Sequence, residues 1–481
     1  MCPSYGPDLA RGSVLPIIRR YPLRLAALPL QGCHKTFSVR KSTIRQKQPH
    51  KNKIVFTLLM NKSPFRRILE VADISASSLY GKIDFLFRQC LAFAADRERQ
   101  LRDGMPIRRL YLSTDRQDYV VNWTSEHDRR NVVLHAVGTA DNTTGYVFAM
   151  HLNYDPSLAA QAVERDAEAL ADAAKQPPFR RYARVWLETD YQSAALRQAG
   201  RRIAKAGTLK EDIAASYDAT VLREDVEVAD TPNAATRLPA RGMQVHAEYT
   251  LYGHCFFLKE LFAGVEKLRL FLDQDSGMRA AFLSAFQPEI AARRADAFYV
   301  RIQRELTINE KRAAVAASRS TLEAARRECP GLDDSALELL LAKAQLAHMT
   351  AFGQWQDKWL IHPFPNMSEP QMATCYLTDY KDYDEDHLAH LYLKASLHAI
   401  DTFFMQVRRR LSILERSIAT ASSARRVWYG YSAYNPEVVL KLLAIFRVFY
   451  NYCLARKDRT TPAMRLGLAQ GKVTLEDIIY F

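Results

Sequence analysis

Three carboxylates in this sequence occupy positions from which they could act together on a phosphodiester. Asp115 lies in a predicted strand, Asp273 directly follows a predicted buried strand, and Glu415 lies in a predicted late helix. Three converging carboxylates can hold two divalent cations, one activating the attacking oxygen and the other stabilising the leaving oxygen of a phosphoryl displacement. Carboxylate oxygens are hard ligands that suit Mg²⁺ or Mn²⁺. The residue types therefore indicate metal-dependent phosphoryl transfer.

Each of these acids also has a simpler explanation. An Asp at a strand end is commonly a turn or cap residue, and Glu415 among arginines can form a surface ion pair. Asp118 and Asp275 are close enough to replace Asp115 and Asp273, because an error of one strand register would exchange them. An acid that leaves a buried strand end is well placed to reach a site there, which favours Asp115 and Asp273.

The segments that must position the first two acids have the period of strands. Three runs rich in Val, Leu, Tyr and Phe, separated by polar turns, predict an antiparallel meander over 107–121, 132–137 and 146–150. A helix is predicted over 249–262, and a buried strand over 267–272. The order of three strands, helix and strand predicts an α/β fold with a mixed-sheet core of the RNase H-like type.

The residues from 287 to 417 are predicted to be helical. Ala, Leu, Glu and Arg dominate residues 287–400, which predicts an all-helical insertion, and residues 386–417 predict one long helix carrying Glu415. In the loop after that helix, Arg425 and Arg426 are candidates to line a DNA path. Trp428 beside them is either a stacking surface for a base or a buried side chain.

Residues 52–90 predict two helices separated by a short turn, after a first helical segment that starts at Asn52. Ser75 is placed to cap the second helix, in which Leu79, Ile83 and Leu86 form one apolar stripe. A capped helix after a short turn is the plan of a helix-turn-helix DNA reader, and an ordinary helical hairpin would show the same spacing. The residues expected to touch DNA are Arg66, Arg67, Ser77, Ser78, Tyr80 and Lys82.

Nearly all of the net charge of +14 lies in the first seventh of the 481-residue chain. Residues 1–69 hold 14 Lys and Arg and a single acid, Asp8, whereas the remaining 412 residues hold 53 bases and 52 acids. A basic block joined to a neutral body is typical of a polyanion-binding arm, which makes double-stranded DNA the leading partner. A solvated tail or an Arg-rich targeting peptide would also be basic.

The remaining composition excludes an intrinsically disordered chain and a membrane-embedded protein. Hydrophobic residues make up 48% of the chain, enough for real cores, and no segment is apolar enough to span a bilayer. The seven cysteines are scattered without disulfide or C-x-x-C spacing. A reducing cytoplasm is the expected location.

Several short motifs, taken in chain order, resemble those of a bacterial insertion-sequence transposase of the DDE type. They are Lys-Thr-Phe-Ser-Val at 35–39, the basic run at 46–52, the two-helix unit, Thr-Asp-Arg-Gln at 114–117, Leu-Asp-Gln-Asp-Ser-Gly at 272–277, Leu-Glu-Arg at 414–416 and Thr-Pro-Ala-Met-Arg-Leu-Gly-Leu at 461–468. The resemblance spans residues 33–470. It implies an RNase H-like core in which Asp115, Asp273 and Glu415 are catalytic and bind the metal.

The resemblance also implies an activity and an assembly. Such an enzyme cuts DNA at the ends of its element and joins the freed 3′-hydroxyl to target DNA, and paired ends require a homodimer or higher oligomer. It would work on the nucleoid, in the cytoplasm. A zinc-binding module often precedes the Lys-Thr-Phe-Ser-Val motif, but only Cys2, Cys33 and His34 remain here as ligands, where a structural site needs four. Zinc is therefore a doubtful cofactor.

The expected domain organisation follows from these segments. A basic arm or degenerate zinc module is expected at 1–50 and a helix-turn-helix domain at 51–104. The first part of the catalytic core is expected at 105–286, the helical insertion at 287–400, and the last part of the core with C-terminal helices at 401–481. Two alternatives remain open: a non-catalytic DNA-binding regulator or inactive transposase remnant, and a host nuclease on the same core.

Overall fold

A computed structural model describes most of the chain. The described residues are 27–29, 36–38, 42–43, 46–122, 131–191, 193, 208–221, 242–275, 277–303, 306–415, 418–419, 427–428 and 435–481. Their α-helices are α1 (Asn52–Leu59), α2 (Phe65–Ala72), α3 (Ala76–Arg102), α4 (Ala160–Ala169), α5 (Leu209–Val221), α6 (Ala247–Leu261), α7 (Met278–Ala291), α8 (Ile308–Glu328), α9 (Asp334–Leu346), α10 (Glu385–Lys394), α11 (His398–Arg410), α12 (Pro436–Val448), α13 (Pro462–Leu466) and α14 (Leu475–Ile479).

The strands of the described residues form one large sheet and three short ribbons. They are β1 (Ala27–Pro29), β2 (Thr36–Ser38), β3 (Arg109–Asn122), β4 (Asn131–Asp141), β5 (Val147–Leu152), β6 (Tyr154–Asp155), β7 (Met243–Gln244), β8 (Lys267–Asp273), β9 (Ala295–Ile302), β10 (Thr350–Phe352), β11 (Asp357–Ile361), β12 (Met372–Tyr376), β13 (Ile418–Ala419) and β14 (Val427–Trp428). The eight-stranded sheet has the order β10-β11-β12-β9-β8-β3-β4-β5.

The direction of the strands divides this sheet into three parts. The meander β3-β4-β5 is antiparallel, as the sequence predicts. At the centre, β8 runs parallel to both β3 and β9, and β12 to β10 continue antiparallel at the far edge. The chain therefore has an α/β fold with a mixed sheet, which confirms the α/β part of the predicted fold class.

The central strand β8 is buried on both faces. Leu268, Leu270, Phe271 and Leu272 are each 3% exposed or less, because helices cover both sides of the sheet. A continuous apolar run of this kind predicts such a strand, and its observed bounds agree with the predicted ones to within one residue.

Two helices cover opposite faces of β3, because successive residues of a strand point to opposite sides. α11 lies on the face of Ser113, whose Oγ accepts a hydrogen bond from the backbone N–H of Ile400 at 3.2 Å. α6 lies on the face of Thr114. His254 of that helix is 2.7 Å from Thr139 Oγ1, which is 2.8 Å from Thr114 Oγ1.

The prediction of an all-helical insertion over residues 287–400 is wrong. This stretch contains β9, β10, β11 and β12, which extend the central sheet by four strands. The error arose at β9, where Ala295 and Ala297 suggest a helix but the segment is almost entirely buried beside β8. Burial between two neighbouring strands outweighs the helix propensity of alanine.

The predicted long helix over residues 386–417 is two helices, α10 and α11. Between them Ser396 Oγ donates a hydrogen bond to Glu369 Oε1 at 2.7 Å, and the backbone N–H of Leu397 donates to the same oxygen at 3.0 Å. Glu369 is 5% exposed, so its carboxylate needs these donors. The break in the helix satisfies a buried carboxylate that the local sequence does not reveal.

The N-terminal helices pack directly on the C-terminal ones. The long helix α3 lies against α12, and Arg447 of α12 donates to Glu98 Oε1 of α3 at 2.5 Å. Tyr146 Oη of the sheet region donates to the same oxygen at 2.7 Å. The two-helix unit of residues 65–102 is thus joined to the body that carries the sheet.

Candidate functional site

Asp115 and Asp273 lie side by side on neighbouring parallel strands. The register of β3 and β8 ends at the pair Thr114 and Leu272, so that each aspartate is the next residue on its own strand. Neighbouring strands are about 4.8 Å apart, which brings the two backbones to that separation. Beyond this point β3 continues against β4 alone. The end of β8 therefore leaves a notch beside β3, at the carboxyl end of the parallel strands, where α/β sheets hold ligands.

A glycine opposite Asp115 lets α11 approach the sheet. Gly138 of β4 is the register partner of Asp115. A Cβ atom built at Gly138 would lie 2.8 Å from Ile400 Cδ1 and 3.3 Å from Phe404 Cε1. Asp115 is 2% exposed, and its Oδ1 accepts a hydrogen bond from the backbone N–H of Arg116 at 2.6 Å. The close approach of α11 thus encloses the carboxylate that β3 provides.

The notch opens into a cavity of about 850 Å³, lined by Asp115, Asp273 and Glu415. All three acids predicted from the sequence therefore border one space. Arg301, Lys311 and Arg408 also line it, so the acids share the cavity with cationic side chains.

Asp401 is a cavity residue that the sequence analysis missed. Asp401, Met405 and Arg408 recur on α11 at spacings of four and three residues, and all three line the cavity. Side chains at these spacings share one face of a helix. This spacing is the sequence signal for Asp401. The prediction of one longer helix places the acid of the site at the end of that helix, at Glu415, and so does not select Asp401.

Glu415 does not lie in a helix, which corrects the predicted position of this acid. It follows a 3₁₀ turn over Ser412–Leu414 in extended conformation, is exposed, and forms an ion pair with Lys62 Nζ at 2.6 Å. The helix stops earlier because the backbone N–H of Lys62 donates to the carbonyl oxygen of Arg410 at 2.7 Å. The turn after α1 therefore holds this segment at the rim of the cavity.

The two alternative acids, Asp118 and Asp275, are both engaged with side chains of the protein. Arg116 contacts both carboxylate oxygens of Asp275, with Nε at 2.9 Å and Nη2 at 3.3 Å. Asp118 Oδ1 lies 2.7 Å from His135 Nδ1. Burial alone would raise the pKa of Asp118, but the hydrogen bond from His135 and the charges of His135 and Arg116 outweigh it and lower the pKa.

The predicted metal ligands are not assembled into a metal centre. Among the residues that the structure describes, no group of three or more His, Cys, Asp or Glu side chains is placed to hold a metal ion. Carboxylate oxygens fit Mg²⁺ or Mn²⁺ by chemical type. By position, however, Asp115, Asp273 and Glu415 do not form the expected three-ligand set.

The two-helix unit has the predicted cap and the predicted core. Ser75 Oγ accepts a hydrogen bond from the backbone N–H of Ser78 at 3.2 Å, which confirms Ser75 as the N-cap of α3. Leu79, Ile83 and Leu86 are each 1% exposed or less, as their spacing predicts. The proposed DNA contacts Arg66, Arg67, Ser77 and Tyr80 are exposed, and Ser78 is half-buried.

Lys82 is a structural residue in this fold and not a surface contact. Its side chain is buried, and Nζ donates to Asn52 Oδ1 at 2.6 Å, to Lys47 O at 2.9 Å and to Gln48 O at 3.0 Å. Burial, and then the charge of Lys51, lower the pKa of its ammonium group. The prediction that Lys82 touches DNA is therefore wrong, because three oxygens of the preceding segment already surround the ammonium group.

Several predicted residues lie outside the part of the chain that the structure describes. They are Arg425 and Arg426 in the loop after Glu415, and the doubtful zinc ligands Cys2, Cys33 and His34. Within the described part, no helix is long and apolar enough to cross a membrane.

No protein-family model matches this chain, and no curated protein is similar to it in sequence.

Proposed function

We propose that this chain is a DDE-type transposase that cuts DNA at the ends of an insertion sequence and joins the freed 3′-hydroxyl to target DNA. The observation that carries the proposal is the pair Asp115 and Asp273, which directly follow the last paired residues of two adjacent parallel strands, beneath a helix and within one cavity. An RNase H-like core is part of the proposal. The strand order β5-β4-β3-β8-β9, with an antiparallel meander and two parallel strands, supports it.

In this proposal Asp115 and Asp273 are the carboxylates that lie nearest the phosphodiester bond that is cut. A divalent cation, Mg²⁺ or Mn²⁺, would supply charge neutralisation and an activated oxygen nucleophile. Arg408 and Lys311 line the same cavity and are suited to hold the phosphates on either side of the bond that is cut. Zinc has no part in the proposal.

Two acids compete for the third carboxylate position. Glu415 is the choice that the sequence resemblance implies, but it lies at the rim and is paired with Lys62. Asp401 is on the face of α11 that borders the cavity, between Ile400 and Phe404, the two residues of this helix that pack over Gly138. The packing of α11 against β3 and β4 supports Asp401 in this role.

The DNA-reading role is proposed for α2 and α3, as a helix-turn-helix unit. The exposed side chains of Arg66, Arg67, Ser77 and Tyr80 support it, since phosphate contacts position a protein and polar contacts to base edges specify sequence. Arg67 is also paired with Glu70 at 2.7 Å. A homodimer or higher oligomer would pair two element ends.

The test is cleavage of a labelled duplex that carries the DNA flanking the coding sequence, with Mg²⁺, Mn²⁺ or EDTA present. We expect cutting at the ends by the intact protein, and its loss in Asp115→Asn and Asp273→Asn with duplex binding retained. Comparing Asp401→Asn with Glu415→Gln then assigns the third acid, because only the true ligand should abolish cutting. Cleavage that survives Asp115→Asn and Asp273→Asn would refute the catalytic assignment.

A second candidate function is a DNA-binding regulator without catalysis. The ion pairs of Asp275 with Arg116 and of Glu415 with Lys62 favour it, because these two cavity carboxylates are neutralised within the protein. Tight binding of the flanking DNA without any cutting, in either metal, would select this candidate.

A further inference from the structure

A second cavity also borders α11, next to the acidic one. It has a volume of about 630 Å³, and Arg410, Tyr450, Arg456 and Lys457 are among the residues that line it. We call it the basic cavity. Thr402 of α11 lines both cavities, so that one side chain of the helix separates them.

The basic cavity has a buried hydroxyl group with no partner. Tyr450 is 4% exposed, and its Oη makes no hydrogen bond within the structure. The ring is held by an edge contact with Phe403, with the ring centroids 5.1 Å apart. A buried hydroxyl without a partner is costly, which makes this oxygen a prepared donor for a ligand.

A second unpartnered donor belongs to Arg465, beside the cavity residue Arg456. Arg465 Nη2 is buried without a hydrogen-bond partner, although Nε of the same side chain donates to Thr144 O at 2.7 Å. The Cβ that Gly145 lacks would lie 2.8 Å from Arg456 Nη2 and 3.6 Å from Arg465 Nη2. The two guanidinium groups therefore share one patch, in which the carboxylate of Asp458 lies 3.7 Å from Arg465 Nη1 and neutralises one of the two charges.

The charges of the lining favour an anion. Arg410, Arg456 and Lys457 supply three positive charges, and Asp458 supplies one negative charge. Asp458 is already engaged, because Thr460 donates to it from the backbone at 3.0 Å and from Oγ1 at 2.7 Å, and Arg465 Nη1 lies 3.7 Å from its Oδ2. Arginine and lysine beside hydroxyl donors are the groups that proteins use to hold phosphate oxygens.

We propose that the basic cavity binds a backbone phosphate of the DNA strand that passes over Thr402 from the acidic cavity. This inference rests on the proposed function, because it takes DNA as the source of the phosphate. Arg456 and Lys457 supply the charge, and Tyr450 Oη donates a hydrogen bond to a phosphate oxygen.

The experiment measures binding of a fluorescent duplex and of a single strand by anisotropy, over a series of salt concentrations. The double variant Arg456→Gln/Lys457→Gln is compared with the intact protein, and Arg459→Gln is the matched control because Arg459 is in the same loop but does not line the cavity. We expect the dissociation constant of the double variant to rise about tenfold or more, and the slope of log affinity against log salt to fall by about 1 to 2. Arg459→Gln should match the intact protein.

Tyr450→Phe separates ligand binding from folding. It should weaken DNA binding several-fold while leaving the melting temperature unchanged or slightly higher, since the hydroxyl has no partner in the protein. A marked fall in its melting temperature would show a structural role for the hydroxyl and overturn its part in the proposal.

The remaining outcomes distinguish this inference from the proposed function. A double variant that binds DNA like Arg459→Gln overturns the inference and leaves the proposed function standing. If the double variant binds DNA more weakly, as expected, but the intact protein never cuts DNA, the transposase proposal is overturned and the phosphate site is retained. Inorganic phosphate could raise the melting temperature of the intact protein but not of the double variant, while the two proteins bind DNA with the same affinity. In that case the site takes free phosphate and not DNA. Failure of the intact protein to bind any DNA overturns both proposals.

Discussion

Replacing Lys82 by Met tests whether this lysine supports the fold or contacts DNA. Met keeps the length of the side chain but removes the ammonium group, which donates to Asn52 Oδ1, Lys47 O and Gln48 O at 2.6–3.0 Å. Each hydrogen bond from a charged donor contributes about 1.5–3 kcal/mol, and burial of the ammonium group costs part of this sum. We expect Lys82→Met to lower the free energy of unfolding by about 2–4 kcal/mol.

The assay is unfolding in urea followed by circular dichroism, together with duplex binding at a urea concentration where both proteins are folded. Lys210→Met is the control, because Lys210 is an exposed lysine at the start of α5. Its midpoint should change little. The structural assignment of Lys82 would be refuted by a Lys82→Met protein that unfolds at the same urea concentration as the intact one but binds DNA more weakly. Arg67→Gln should show that second pattern, since Arg67 is exposed on α2.

Two further predictions concern the packing of the sheet. Gly138→Ala should destabilise the protein by about 1–3 kcal/mol and reduce cleavage, because the new Cβ would press α11 away from the sheet. Gly253→Ala in α6, where a Cβ meets nothing within 4 Å, should instead stabilise the protein by about 0.5–1 kcal/mol. Equal effects of the two variants in urea unfolding would contradict this reasoning. Burial lowers the pKa of His151 to about 4 and that of His254 well below its ordinary 6.5, so that the unfolded chain binds more protons as the pH falls from 6.5 toward 4. This proton uptake should lower the free energy of unfolding by about 2 kcal/mol at pH 5, relative to pH above 7, from His151 alone. His151→Gln should remove that part of the pH dependence.

The parts of the fold that the sequence predicts are those fixed by local patterns. The apolar run at 267–272 predicts a doubly buried strand, and Ser75 with the stripe of Leu79, Ile83 and Leu86 predicts a capped helix. In these segments the hydrophobic pattern and the end signals agree, so that few other structures satisfy them. The carboxylates of Asp115 and Asp273 follow from the same strand patterns.

The parts that the sequence does not predict depend on contacts between distant segments. β9 is not predicted because its Ala295 and Ala297 favour a helix until the segment pairs with β8, and β12, β11 and β10 then extend the sheet from β9. The ends of α11 are set by Glu369 at one end and by Lys62 at the other, and neither lies near that helix in sequence. Lys82 is polar and follows a DNA-reading pattern, yet its partners come from a loop about 30 residues earlier. The assignments of Glu415 and Lys82 therefore required the three-dimensional arrangement.

The length of α3 has a consequence for how a bound duplex would be oriented. Its 27 residues form one uninterrupted rod of about 40 Å, with Ser77 and Tyr80 near one end and Glu98, which is paired with Arg447, near the other. On the proposed function, this rod fixes the rotational position of the reading residues relative to the body that carries the sheet. Because one added residue turns a helix by about 100°, an insertion in the middle of α3 would rotate Ser77 and Tyr80 around the duplex as well as move them along it.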